Sequence, residues 1–135
     1  MLSHVHVLVA DDDPQLLDAV AEALTRLGAD VVRAGSGADL IEQLANAGPF
    51  DLVVTDIGMP WMSGLQAMHL TRAAGLATSV IVVTALTDER IPAQVRALGE
   101  NAVLLRKPFE LAELEAAATT LLSSRAPADE RPDSS

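Results

Sequence analysis

Four short apolar runs punctuate the chain: Val5-His6-Val7-Leu8-Val9-Ala10, Leu52-Val53-Val54, Val80-Ile81-Val82-Val83 and Val103-Leu104-Leu105, with a weaker one at Val31-Val32. They are rich in β-branched residues and continuous rather than alternating, the pattern of strands covered on both faces. Between them, apolar residues return at helical spacing. Leu16, Val20, Leu24 and Leu27 mark a first helix, with Asp13 as N-cap, Pro14 in the first turn and Gly28 as the stop. Leu40, Ile41 and Leu44 mark a second, with Ser36 and Asp39 spaced as a capping box. Leu65 and Met68 lead a third, where Ser63 and Gln66 repeat the box. Ile91, Val95 and Leu98 mark a fourth, which Pro92 keeps short or late-starting. Leu111, Leu114, Ala118 and Leu121 mark a fifth.

Strands alternating with helices in this way, five times over, predict a (βα)5 architecture: one doubly wound parallel sheet with helices on both faces. Residues 4–122 form the domain. From residue 123 onward no apolar periodicity remains, so 123–135 reads as a disordered tail or truncated linker. Ligands of such sheets bind outside the carboxyl ends of the strands. The first run ends in Asp11-Asp12-Asp13, the third in Thr55-Asp56, the fourth in Thr84 and the fifth in Arg106-Lys107-Pro108, while the second ends in Ala34-Gly35 and offers no chemistry. Asp11, Asp56, Thr84 and Lys107 are separated by 45, 28 and 23 residues. The shorter gaps match one βα unit, so the first skips a strand. Four of five strands thus deliver a polar group to one edge, making an acidic pocket with one hydroxyl and one ammonium.

Composition sharpens this picture. The 135 residues include no cysteine, which excludes thiolate catalysis, zinc-thiolate sites and disulfides together. The net charge of −10 opposes binding to nucleic acid backbones and anionic membranes, and with only Phe50, Trp61 and Phe109 as aromatics the composition argues against stacking on single strands as well. Residues 1–122 alone carry a net −9, so the acidity belongs to the domain. No secretion signal opens the chain, and no apolar run approaches the ~18 residues of a membrane span, so a cytoplasmic location without membrane insertion is expected. Eight of the nine basic residues are Arg; Lys107 is the one lysine.

Three carboxylates within a few ångströms need compensation, or their pKa values rise. Lys107 supplies one charge. A hard divalent cation supplies more, and Mg²⁺ suits a site of few carboxylates, a carbonyl and retained waters, with Mn²⁺ as a substitute. Such a metal, with an ammonium and a hydroxyl nearby, stabilises the equatorial oxygens of a phosphoryl group in transfer. A carboxylate itself can accept that group as an aspartyl phosphate. Phosphoryl transfer to Asp56 is the reaction this inventory favours.

Leu8-Val9-Ala10-Asp11-Asp12-Asp13, Asp51-Leu52-Val53-Val54-Thr55-Asp56-Ile57-Gly58-Met59-Pro60, Val82-Val83-Thr84-Ala85 and Lys107-Pro108-Phe109 together resemble the receiver domain of bacterial two-component response regulators. Any one of these motifs is weak alone; jointly and in order they are specific. The resemblance spans residues 4–122 and implies a flavodoxin-like strand order of 2-1-3-4-5. It implies Asp56 as phosphoacceptor, Asp12 as a direct Mg²⁺ ligand, Asp11 as a ligand directly or through water, and the Gly58 carbonyl completing the protein ligands. Thr84 would hydrogen-bond one phosphoryl oxygen and Lys107 would pair with another, across a cis Lys107–Pro108 bond. A flexible point charge, not a planar fork, is wanted there, which gives the lone lysine its meaning. The implied partners are a histidine kinase or phosphotransfer protein upstream, and a downstream protein or missing effector domain. The protein would act on its own phosphoryl group only, without being an enzyme toward other substrates.

Other residues read more plainly. Asp13 before Pro14 is a helix cap without a catalytic role. His4 and His6 would share a strand face, but without a third ligand they are structural. His69 reads as solvated, and Arg106, beside Lys107, as a surface charge on the opposite face. Two departures from the family stand out. The aromatic three residues before the conserved lysine is replaced by Leu104, so the rotating switch side chain is lost and activation would pass through backbone movement of the 84–90 loop and the fourth helix. Trp61 stands where glycine is common, close to the pocket. The competing readings are a haloacid-dehalogenase-type phosphatase using Asp11, which leaves Asp56 without a purpose and lacks a cap domain, and a receiver-like interaction domain that takes no phosphate.

Overall fold

A computed structural model describes residues 2–57, 66, 69, 78–85 and 87–123. In chain order its elements are β1 (His6–Ala10), α1 (Pro14–Arg26), β2 (Asp30–Ala34), α2 (Gly37–Asn46), β3 (Leu52–Asp56), β4 (Ser79–Thr84), α3 (Arg90–Arg96), β5 (Ala102–Arg106) and α4 (Leu111–Ser123). The five strands are parallel and ordered β2-β1-β3-β4-β5. This is the doubly wound sheet that the alternating runs predict. Gln66 and His69 are helical and exposed; the remainder of the expected helix led by Leu65 and Met68 lies outside the described residues, as do Gly58, Trp61 and the segment after residue 123.

Side-chain parity along each strand divides the core in two. Leu8, Ala10, Val53, Val80 and Val82 meet Leu40 of α2 and Ile91 and Val95 of α3 on one face. Val7, Val9, Leu52, Val54, Ile81 and Val83 meet Leu17, Val20 and Leu24 of α1 and Leu114, Ala118 and Leu121 of α4 on the other. β3 and β4 are buried throughout, which explains their continuous apolar sequence, whereas the edge strand β5 is half-exposed.

Local signals act where expected. Asp13 Oδ1 accepts from the N–H groups of Gln15 and Leu16 to start α1. Ser36 Oγ accepts from Asp39 N–H to start α2, but Asp39 returns its carboxylate to Gly35 N–H rather than to the cap residue itself. α3 is seven residues long with Pro92 in its first turn, the short helix Pro92 predicts. Gly28 follows α1 at φ +104°, a left-handed conformation that disfavours a Cβ. The chain then doubles back beneath α1. Leu2, which no periodicity marks, is buried against this end, and its N–H donates to Leu27 C=O at 2.6 Å.

The expected shared face of His4 and His6 does not form. His4 sits before β1 with φ +67°, so strand alternation does not reach it. His6 packs its ring on Phe50 at 4.4 Å between centroids, with Nδ1 3.1 Å from Pro49 O, and its backbone N–H donates to Asp51 Oδ2.

Candidate functional site

The parity that sorts the core also builds the site. Asp11 continues the Val7–Val9 series, Asp56 the Leu52–Val54 series and Lys107 the Val103–Leu105 series, all on the face covered by α1 and α4. Adjacent pairing of β1 with β3 brings Asp11 and Asp56 together, and β5 arrives across β4. Lys107 Nζ donates to Asp11 Oδ2 at 3.1 Å and to Asp56 Oδ2 at 3.0 Å. Its backbone N–H donates to Thr84 C=O at 2.8 Å, tying the ends of β4 and β5. The Lys107–Pro108 peptide bond is cis. Arg106 is exposed and, by parity, belongs to the opposite face.

One carboxylate oxygen from each of Asp11, Asp12 and Asp56 falls within a cluster no more than 4.8 Å across. Asp11 and Asp56 are buried, and Asp12 is exposed at the mouth. Burial pushes the Asp11 carboxyl above its ordinary value. The Asp13 N–H, the Lys107 hydrogen bond and the Lys107 charge pull it down, and the charge of Asp56 pushes it up again. Burial works against the Lys107 ammonium too, but its hydrogen bonds to Asp56 and Asp11 and their charges outweigh that and raise its pKa. The arrangement is a pair of buried acids, Asp11 and Asp56, with one cation between them and the exposed Asp12 beside them. Three oxygen donors in this arrangement fit a hard divalent cation.

Thr84 is fully buried at the end of β4. Leu104 pairs with Val82, and Thr84 with Arg106, so Leu104 shares the α2–α3 face with Thr84 and packs on the cluster containing Ile91, Val95 and Leu98. Gly58 lies outside the described residues. The site also has a feature that periodicity did not mark: a cavity of about 250 Å³ lined by Asp13, Leu16, Lys107, Pro108 and Phe109. Its apolar walls were legible only as a core position of α1 and the residues after Lys107.

Fold and site together define a doubly wound α/β domain whose carboxyl edge carries a lysine-bridged cluster of acids. The family model for the response regulator receiver domain matches residues 7–119. Response regulator MprA of Mycobacterium sp. (strain KMS) is 35% identical over 131 residues, covering 96% of this chain and 55% of its own length. The probable transcriptional regulatory protein TcrX of Mycobacterium tuberculosis is 37% identical over 112 residues, covering 82% of this chain and 46% of its own. Among solved structures, a response regulator receiver protein from Sinorhizobium medicae superposes with a TM-score of 0.80 at 29% identity, covering 92% of this chain and 98% of that one. Response regulator TrrA from Thermotoga maritima, in complex with Mg²⁺-BeF, gives 0.73 at 28%, covering 87% and 99%. The chain belongs to the response regulator receiver domain family of two-component systems. It spans about half the length of the curated relatives it matches.

Proposed function

We propose that this domain accepts a phosphoryl group on Asp56 from a histidine kinase or phosphotransfer protein, in a Mg²⁺-dependent reaction, and that phosphorylation switches binding to a downstream protein or effector domain. The observation that carries this reading is the Lys107 ammonium held between the buried Asp11 and Asp56, at 3.1 and 3.0 Å, with the exposed Asp12 beside them. Asp11, Asp12 and Asp56, with the Gly58 carbonyl, would hold Mg²⁺ or Mn²⁺. Bound there, the cation supplies charge neutralisation for the phosphoryl oxygens.

The protein's own groups do the rest. Asp56 offers a carboxylate oxygen as nucleophile, and the fixed strand end positions it for in-line attack. Lys107 is anchored through its backbone to Thr84 and keeps its charge where the phosphoryl oxygens arrive. Thr84 offers a hydroxyl from the adjacent strand end. The domain turns over only its own phosphoryl group. Among the described residues no helix is long and apolar enough to cross a membrane, and the acidic chain is read as acting in the cytoplasm through protein partners, without direct nucleic-acid contact. Relatives carrying the name transcriptional regulator are roughly twice as long, which supports an effector outside the matched region as one output.

The test is uptake of phosphate from acetyl phosphate, followed by intact mass. The expected result is a phosphorylated species that needs a divalent cation, is prevented by EDTA and is absent from Asp56→Asn. Uptake that persists in Asp56→Asn and disappears in Asp11→Asn would instead mark a haloacid-dehalogenase-type reaction.

A further inference from the structure

Thr55, the residue before Asp56, is fully buried. By strand parity it faces α2 and α3 together with Val53 and Ile57, on the side of the sheet opposite to the Asp56 carboxylate. Its ladder partners are Ala10 of β1 and Val82 of β4, both apolar members of that core. Among such neighbours valine, as at position 53, is the ordinary choice, because a buried hydroxyl gives up its water. The Thr55 hydroxyl donates instead to the Asp56 C=O at 3.2 Å. The buried Thr78 hydroxyl offers a contrast: it donates to Phe50 C=O, 28 residues distant in sequence, and so ties the start of β4 to the chain entering β3. The Thr55 bond reaches only its own neighbour. It joins no two segments, and its effect falls on the main chain of Asp56.

From this geometry, and resting on the reading of Asp56 as phosphoacceptor, we infer that Thr55 is a positioning residue for the transfer: its hydroxyl sets the main chain from which the Asp56 carboxylate attacks. The peptide group between Asp56 and Ile57 is planar. A bond to its carbonyl therefore fixes how that plane is rotated about Asp56, and the backbone angle in turn restricts the side-chain rotamer. Ile57, buried on the same face, secures the far side of the peptide. The main chain is thus held from the α2–α3 face, while Lys107 holds the carboxylate at 3.0 Å from the α1–α4 face. In the transfer an Asp56 oxygen forms its bond to phosphorus as the bond from phosphorus to the donor's leaving group breaks, and the leaving group keeps the electron pair. A displacement of about 1 Å in a reacting atom costs on the order of a hundredfold in rate. Thr55 touches no donor atom in this scheme, so its loss lowers the rate within the donor complex and leaves donor affinity unchanged.

The experiment measures phosphorylation of Asp56 against acetyl phosphate concentration, at saturating Mg²⁺ and by intact mass, in the parent, Thr55→Val and Thr55→Ser, with a urea midpoint for each. Thr55→Val keeps the shape and removes the donor; Thr55→Ser keeps the donor and removes a buried methyl. For Thr55→Val the expected result is a fall of about fivefold in the maximal rate, the equivalent of one neutral hydrogen bond. Its half-saturating donor concentration stays within twofold of the parent's, and its midpoint stays close, since burying a methyl in place of a hydroxyl offsets the lost bond. For Thr55→Ser the maximal rate stays within twofold of the parent's although the midpoint falls, as expected when a buried methyl is deleted. A Thr55→Val rate within twofold of the parent's, or a Thr55→Ser rate as low as that of Thr55→Val, overturns the assignment of Thr55. No phosphorylation of Asp56 in the parent overturns the phosphoacceptor reading itself, and this inference with it.

Discussion

Replacing Lys107 with methionine removes the ammonium between Asp11 and Asp56 while keeping an unbranched side chain. The two carboxylates, whose side chains are 4% and 9% exposed, then lose their shared counter-charge. Taking one partner from a buried ion pair costs about 3–5 kcal/mol, because the remaining charge is left uncompensated. Here Lys107 is 20% exposed and Asp12 opens the cluster to solvent, so screening reduces this to roughly 1–3 kcal/mol. At ordinary urea slopes that is about 1 M in the unfolding midpoint. The dependence on pH has a definite sign. Asp11 has a raised pKa in the folded protein, so folding loses stability as pH climbs from the ordinary carboxyl value through the raised one. Without Lys107 two of the influences holding Asp11 down are gone, and that loss deepens and extends to higher pH. Lys107 has a raised pKa as well; its contribution is complete below the ordinary lysine value and disappears as pH rises through the folded one. The parent–variant gap is therefore small in acid, full at neutral pH and closing again in strong alkali. Mg²⁺ should narrow it at neutral pH, since loss of the competing ammonium tightens cation binding in the variant, and at saturating cation each tenfold gain in affinity adds about 1.4 kcal/mol to its stability. Urea titrations followed by far-UV circular dichroism, in EDTA and in Mg²⁺, read all three behaviours. Equal midpoints for parent and Lys107→Met in EDTA at neutral pH would refute the reasoning.

Three further outcomes are expected. Gly28→Ala places a Cβ at φ +104° within 3.4 Å of Ser3, and should lower stability by about 1–3 kcal/mol in the same titration while leaving Asp56 phosphorylation intact. Beryllofluoride with Mg²⁺ should shift backbone amide resonances across 84–90 and α3 comparably in the parent and in Leu104→Tyr, because Leu104 already packs against the core cluster to which α3 contributes; no shift in the parent would contradict transmission through that segment. The single tryptophan, Trp61, lies five residues beyond Asp56 and should change its fluorescence on adding Mg²⁺ or beryllofluoride; a flat titration, with binding shown independently, would place it away from the site.

Much of the fold was legible because burial on both sides of a parallel sheet writes continuous β-branched runs into the sequence. The strand ends followed, and with them Asp11, Asp56, Thr84 and Lys107 at one edge. Asp13, Ser36 and Gly28 were readable because caps and stops are local chemistry. What escaped was set by contacts distant in sequence. Leu2 has no periodic neighbour, and only the turn beneath α1 explains its burial. His6 looked like half of a histidine pair, but its partner is Phe50, brought alongside by the pairing of β1 with β3. Asp11 and Asp12 are equivalent as letters; strand parity alone sends Asp11 inward to Lys107 and leaves Asp12 at the mouth. The cavity between α1 and the residues after Lys107 depends on the packing of two segments some ninety residues apart.

The central claim is that Asp56, among a cluster of acids, receives the phosphoryl group. Acetyl phosphate with Mg²⁺, followed by borohydride reduction and peptide mass spectrometry, converts any aspartyl phosphate into a residue that can be located. The account predicts modification at Asp56 alone, at a level that falls sharply in Lys107→Met. Modification at Asp11 with Asp56 untouched, or at no aspartate under conditions where Mg²⁺ binding is demonstrated, would contradict it.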